Sequence, residues 1–161
     1  MMIYSNSTVR RQDRLLDEQS ADRLLIKGEY GILSMHGENG GLYAVPINYA
    51  WDGQESIYFH CAPEGRKLRC LDSCNTVSFC IVGRTNVVSE KFTTEYESLV
   101  LEGKAYRNLP DDERMKALEL ILDKYSPNDK AIGMKYAEKS FRRTEIVRLD
   151  IDRWSGKCKI S

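Results

Sequence analysis

The stretch Ile57-Tyr58-Phe59-His60-Cys61-Ala62-Pro63-Glu64-Gly65-Arg66-Lys67-Leu68-Arg69-Cys70-Leu71 decides how the chain is read. Its first part is a strand: Ile57, Phe59 and Cys61 alternate with Tyr58 and His60, and so point to opposite faces. Ala62 and Pro63 stop that strand, because proline has no N–H for a ladder and suits the first position of a helix. Gly65, Arg66 and Lys67 then fall in a first helical turn, where the helix dipole favours Asp and Glu over cations. Two cations beside free backbone N–H groups make sense if an anion sits there. A phosphate satisfies both, since Arg offers a planar fork and Lys a point charge. A solvated basic helix start is the other reading, and this fragment alone leaves the two open.

Outward from this stretch, turn signals divide the chain into short elements. Upstream, a helix is predicted from Asp17 to Lys27, with Leu24 and Leu25 inward and Gly28 closing it. Residues 1–9 read as a loose arm. A strand follows from Tyr30 to His36, and Asn39-Gly40 reads as a type I′ hairpin turn. The next strand runs from about Leu42 to Trp51, with Tyr43, Val45, Ile47, Tyr49 and Trp51 on one face. Pro46 inside it demands an edge, a bulge or an interruption. Asp52-Gly53 turns the chain into the central stretch. Downstream, Asn75 to Val82 is a strand, Gly83 to Glu90 a loop, and Phe92 to Tyr106 a long strand. Asn108-Leu109-Pro110-Asp111-Asp112-Glu113 starts a helix, with Asn108 as its cap. A shorter helix lies between Asp129 and Phe141, and Thr144 to Arg153 is the last strand. Antiparallel strands joined by hairpins, with helices at the periphery, predict a mainly β, α+β fold. Its form is an antiparallel Greek-key split β-barrel in a single domain spanning residues 1–161.

Charge and composition narrow the function. Lys plus Arg and Asp plus Glu both number 24, so the formal net charge is zero. Nucleic-acid binding draws on a basic excess that this chain lacks. No apolar run is long enough for a membrane span, and the N-terminus lacks the basic-then-apolar pattern of a signal peptide. Five cysteines at irregular spacing point to reduced thiols in the cytoplasm. Cys70 and Cys74 stand one helical turn apart, but nothing else has metal-finger spacing, so no metal site is assigned.

Three segments carry a family resemblance: Val45-Pro46-Ile47-Asn48-Tyr49, the central stretch through Lys67, and Glu97-Ser98-Leu99-Val100-Leu101-Glu102-Gly103. They resemble the FMN-binding split-barrel superfamily of pyridoxamine-phosphate-oxidase-like proteins, and within it most nearly the nitroimidazole-resistance (Nim-like) branch. The resemblance runs from about Gly31 to Gly156. It implies a homodimer with FMN at each subunit-interface site. It implies that Arg66 and Lys67 hold the FMN phosphate after Gly65, with help from the backbone of His60, Cys61 and Ala62. It further implies that Pro46, Ile47 and Asn48 lie along the isoalloxazine ring and that Tyr96 and Ser98 reach the same flavin or the partner's. The basic helix start thereby gains its anion. The chain ends without the basic, His-containing tail of the authentic oxidases, which speaks against pyridoxamine phosphate as substrate and leaves FMN in place.

The expected function is an FMN-dependent oxidoreductase that reduces a small acceptor such as a nitro-aromatic. NAD(P)H is a candidate donor. No Gly-x-Gly-x-x-Gly fingerprint exists, so a nicotinamide would bind at the flavin and not in a Rossmann domain. The alternative is a non-catalytic split barrel that holds flavin or haem. His60 is the candidate catalytic residue, able to donate to a flavin or substrate oxygen near neutral pH. A purely structural strand histidine is the other possibility.

Overall fold

The computed structural model describes residues 1–161. Its strands are β1 (Ile3–Tyr4), β2 (Gly31–His36), β3 (Leu42–Ile47), β4 (Ala50–Trp51), β5 (Ser56–Cys61), β6 (Thr76–Val88), β7 (Thr93–Tyr106) and β8 (Glu145–Lys159). Its helices are α1 (Glu18–Lys27), α2 (Arg66–Ser73), α3 (Asp111–Tyr125) and α4 (Lys130–Ser140). The sheet order is β3-β2-β6-β7-β8-β5-β4, antiparallel throughout, with β1 added in parallel beside β8. β3 and β4 stand at opposite ends of that order, yet Asn48 and Tyr49 alone connect them. So short a connection spans only about 10 Å. The sheet therefore curls until its two edges nearly meet without pairing, which makes a split barrel.

Alternation along the strands fills the barrel. Phe59, Phe79, Leu99, Leu101, Val147 and Leu149 point inward and are fully buried, and Trp154 closes one end against Tyr4. Each such side chain contributes about 1.5–3 kcal/mol by leaving water. A second, smaller cluster lies outside the barrel, where α3 and α4 cover β5: Tyr58, Ala117, Leu118, Ala137 and Ile146. This outer layer is why Tyr58, on the same face as His60, is buried while His60 is exposed.

Several boundaries differ from the sequence expectation, each for a local reason. The predicted strand 42–51 breaks at Asn48-Tyr49, because side chains replace its ladder bonds. The Tyr49 N–H donates to the Tyr125 hydroxyl at 3.0 Å, and the Asn48 amide donates to the Glu29 carbonyl at 3.2 Å. Pro46 sits on β3, an edge strand, where its missing N–H is tolerated. The Asn39-Gly40 turn is not type I′, which needs two positive φ angles; only Gly40 has one, at 81°. Instead the Gly40 N–H closes a turn onto the Gly37 carbonyl. Asn108 does not cap α3; it takes the left-handed conformation with φ 57°, and Pro110 is the N-cap. The loop expected at 83–90 is strand as far as Val88, since a bulge between Val82 and Thr85 lets β6 continue. β8 likewise runs on to Lys159 by pairing with the first half of β7. The loose arm is pinned where Ile3 and Tyr4 pair with Arg153 and Trp154.

Candidate functional site

Ala62 to Gly65 carry the chain from β5 into α2. Gly65 is the N-cap, with φ 152°, and supplies no side-chain acceptor to the helix. The first turn of α2 holds no acid either. The N–H groups of Arg66, Lys67 and Leu68 thus find no partner within the chain, and the first backbone bond is from Arg69 N–H to the Gly65 carbonyl. Nothing lies within 4 Å of where a Gly65 Cβ would stand, so the space above this turn is open. Bare donors, two cations and open space together fit a phosphate.

The cations are placed by the sheet around them. The Arg66 guanidinium lies over the Tyr43 ring at 4.0 Å. Tyr43 belongs to β3, so the start of α2 rests against the same edge strand that carries Pro46 and Ile47. Stacking fixes the guanidinium plane while leaving its N–H edge free. The sequence places Tyr43 only on a strand face shared with Val45 and Ile47, and no local signal marks it as the Arg66 platform. Lys67 acts on the end of β5: partial desolvation of the His60 ring by the packed chain beside it, and then the Lys67 charge, hold the His60 pKa below the ordinary imidazole value. Burial raises the Cys61 thiol more than Lys67 lowers it, so Cys61 stays protonated at neutral pH.

Register brings the two halves of the predicted site to one opening. β4 pairs with β5 through Ala50 with Tyr58 and Trp51 with Ile57, and the ladder stops there. Continuing that register would set Asn48 against His60 and Ile47 against Cys61. These residues form the lips of the split. On its other side β5 is satisfied, with His60 and Cys61 paired to Ile146 and Glu145 of β8. Its lip side has unpaired backbone beyond Tyr58. Helix α3 holds the other lip, since Lys124 donates to the Tyr49 carbonyl at 2.9 Å and stands over the Tyr49 ring.

Ser98 is the exception. It pairs with Lys157 on β8, eleven residues beyond the Ile146 that meets His60. That separation is roughly 35 Å of strand. Within one chain the structure does not bring Ser98 to Arg66, Lys67 and the lips of the split. Two clefts, of about 950 and 540 Å³, also lie elsewhere, and of the predicted site residues only Tyr96 lines one of them. The cradle is an open surface of the chain. No group of three or more His, Cys, Asp or Glu residues converges on a point.

The His60 shift has a measurable consequence. The unfolded chain takes up this proton near the ordinary pKa, the folded chain only at lower pH. Between those values the unfolded state holds more protons, so the His60 contribution is present near neutral pH and is lost as pH falls. His60→Gln is therefore expected to flatten the decline in melting temperature of the flavin-free protein between pH 7 and pH 5. Parallel curves for variant and wild type would contradict this.

A sequence model described as pyridoxamine 5′-phosphate oxidase matches residues 17–158. Among solved structures, the fold is shared with a candidate 5-nitroimidazole antibiotic resistance protein from Bacteroides thetaiotaomicron. That match has a TM-score of 0.76 and 21% identity, covering 90% of this chain and 86% of the other. An FAD and haem binding protein from Mycobacterium smegmatis matches with a TM-score of 0.72 and 20% identity, over 93% and 75% of the two chains. An FAD-binding protein from Mesorhizobium loti matches with a TM-score of 0.67 and 20% identity, over 91% and 98%. A search of curated protein sequences gives no significant match.

Proposed function

This chain belongs to the pyridoxamine 5′-phosphate oxidase family, and from that premise we infer that it binds a flavin and uses it in redox chemistry. The finer reading is an FMN-dependent oxidoreductase of the nitroimidazole-resistance type. It acts as a cytoplasmic homodimer, each chain folding as one unit over residues 1–161. The observation that carries it is the acid-free first turn of α2, with Arg66 and Lys67 beside unpaired N–H groups. This is a phosphate site at the lip of the barrel's split. The solved relatives described as flavin-binding support the same reading, as does the one described as a nitroimidazole resistance protein.

The chain's own residues divide the work. Arg66 and Lys67 neutralise the FMN phosphate, and the N–H groups of the α2 first turn donate to it. The unpaired backbone at His60, Cys61 and Ala62 offers further donors and acceptors. Pro46, Ile47 and Asn48 border the ring from the β3 lip. The flavin, when bound, supplies the electron-transfer chemistry, taking electrons from a donor such as NAD(P)H and passing them to a small acceptor such as a nitro-aromatic. His60, kept neutral by the partial desolvation of its ring and by the Lys67 charge, donates a hydrogen bond to an oxygen of flavin or acceptor without adding a charge. Cys61, kept protonated, serves as a neutral wall of the site. Ser98 lies too far along β7, opposite Lys157 of β8, to reach its own chain's cradle, which is the reason for assigning it to the flavin of the other protomer. No helix is long and apolar enough to cross a membrane.

Mass spectrometry of the cofactor released from native protein tests the identity, with FMN the expected mass. Sedimentation at about twice 18.5 kDa tests the dimer. Oxidation of NAD(P)H in the presence of a nitro-aromatic or quinone separates turnover from mere binding. A colourless monomer would overturn the reading, and haem in place of flavin would overturn its cofactor.

A further inference from the structure

Both ends of α2 carry charge of the sign that a helix end disfavours. Its first turn holds Arg66 and Lys67 and no acid, and its last turn holds Asp72 and no base. The helix dipole favours the reverse at each end. No side chain caps the start, and a helix of 8 residues is too short to hold by itself in water. Whatever compensates the two ends must come from outside the helix. At the start, the phosphate proposed above does so. At the end, Arg107 does.

Arg107 follows the last residue of β7 and reaches two elements at once. Its Nη1 donates to the Asp72 carboxylate at 3.1 Å, and its Nη2 lies 3.4 Å from the Glu145 carboxylate of β8. The Arg107 side chain is 23% exposed and that of Glu145 10%. Glu145 is the one charged residue of the chain that is buried. It stands opposite Cys61, the last residue of β5, and its other oxygen accepts the Ile146 N–H at 3.0 Å. The charges of Lys67, Glu145 and Arg107 all act on the Cys61 thiol. Arg107 therefore ties the far end of α2 to the strand beside the one from which the chain enters the cradle.

Stability does not account for this arrangement. A buried ion pair adds little, and apolar side chains of similar volume commonly do as well. The Arg107 Nε is also buried without a partner, which costs free energy. What the fork supplies is geometry, because a planar guanidinium holds two carboxylates at fixed angles. The backbone sets where α2 ends, through the Ala105 N–H and the Asn75 carbonyl at 2.9 Å. Arg107 sets how the helix is turned about that point. The first turn lies about 12 Å away along the axis. There a small rotation shifts the N–H groups, Arg66 and Lys67 relative to the end of β5, and a binding constellation loses strength when its support is loose by about 1 Å.

We propose that Arg107 is a positioning residue for the anion cradle. By holding Asp72 and Glu145 together, it sets the orientation of α2 in which the first turn closes on a phosphate. It acts through the helix and not by contact. The inference rests on the phosphate reading of that turn.

The test is fluorescence titration of the flavin-free protein with FMN and with riboflavin, paired with thermal melting. Asp72→Asn removes one arm, keeps the Arg107–Glu145 pair and relieves the helix of an acid at its C-terminal end. Arg107→Met/Glu145→Gln removes both arms without leaving a buried charge. Asp72→Asn is expected to raise the FMN dissociation constant about three- to fivefold, with the melting temperature unchanged or slightly higher. The double variant should raise it about tenfold or more. Arg107→Lys, which keeps the charge but not the fork, should fall between wild type and the double variant. Riboflavin lacks the phosphate, so its dissociation constant should match wild type throughout. If wild type prefers FMN and both variants keep that preference in full, Arg107 does not position the cradle, and the phosphate reading stands. If wild type binds FMN and riboflavin equally, the phosphate reading fails and takes the inference with it. Weakening of both flavins alike, with a lower melting temperature, means that these contacts merely hold the fold, and overturns the proposal. Asp72→Asn, at a carboxylate 58% exposed, decides the matter where the double variant does not fold.

Discussion

Arg66→Ala is expected to weaken FMN binding by about 2–4 kcal/mol while leaving the flavin-free fold intact. A guanidinium contacts two phosphate oxygens at once, and charge-assisted hydrogen bonds are worth about 1.5–3 kcal/mol each. The loss corresponds to roughly 30- to 1,000-fold in dissociation constant. Stability should hardly change, because Arg66 is exposed and its guanidinium packs only on the Tyr43 ring, at 4.0 Å. Losing that stack costs about 0.5–1 kcal/mol. Removing a cation from a helix N-terminus returns about 0.3–1 kcal/mol, so the two nearly cancel. Riboflavin provides the control. It lacks the phosphate, so its affinity should be the same for variant and wild type. A solvated Arg66 predicts no change for either ligand, and an Arg66 needed for folding predicts a lower melting temperature. Fluorescence titration with both flavins, together with thermal melting, separates the three outcomes. Unchanged FMN affinity would remove Arg66 from the site and the main physical support for the flavin assignment with it.

The barrel was largely readable because its strands alternate cleanly. Phe79 and Ile81, Leu99 and Leu101, and Val147 and Leu149 all point inward as their period of two requires. What the alternation could not show was where strands end once they leave the core. Beyond Val82 the β6 residues are mostly exposed and carry no inside-outside pattern, and beyond Arg153 the polar run Ser155-Gly156-Lys157 masks the alternation although Trp154 and Gly156 are buried, so the sequence does not show the ends of β6 and β8. Pairing with β7 makes them strands, and pairing is a long-range property. Asn39-Gly40 marks the place of the turn but not its type, because a five-residue connection relieves Asn39 of the left-handed conformation. In the site, the glycine and two cations of Gly65-Arg66-Lys67 were legible because they contradict ordinary helix-start chemistry. The Tyr43 platform and the Lys124 and Tyr125 clamp on the lip were not. Each joins residues distant in sequence, and each tyrosine also fits an apolar stripe. Ser98 shows the same limit from the other side: its local motif says nothing of how far from the cradle β7 carries it.

Gly103→Ala is expected to have the largest effect on stability of any single methyl addition to the chain. β8 carries an extra residue at Asp152, so Glu102 pairs with Arg153 while Gly103 pairs with Ile151. That bulge drives the β8 backbone toward Gly103. A Cβ at position 103 would lie 1.9 Å from the Asp150 carbonyl oxygen and 2.9 Å from its carbon. These are main-chain atoms in one of the two longest ladders of the sheet, so no side chain can swing aside. Relief requires β7 and β8 to separate, which breaks ladder bonds and opens the packing around the buried Leu101 and Ala105. Overpacking costs typically 1–3 kcal/mol where side chains can adjust. With backbone in the way, on the order of 4 kcal/mol or more is expected, which belongs to the tail of single-mutation effects. For a chain of this size the melting temperature should fall by roughly 10 °C or more. Gly41→Ala is the matched control, since a Cβ there meets nothing within 4 Å and its φ is not positive. It should stay within about 0.5 kcal/mol of wild type. Thermal melting of both variants decides the matter, and a Gly103→Ala protein that melts with Gly41→Ala would mean that β8 does not bulge against β7 at Asp152.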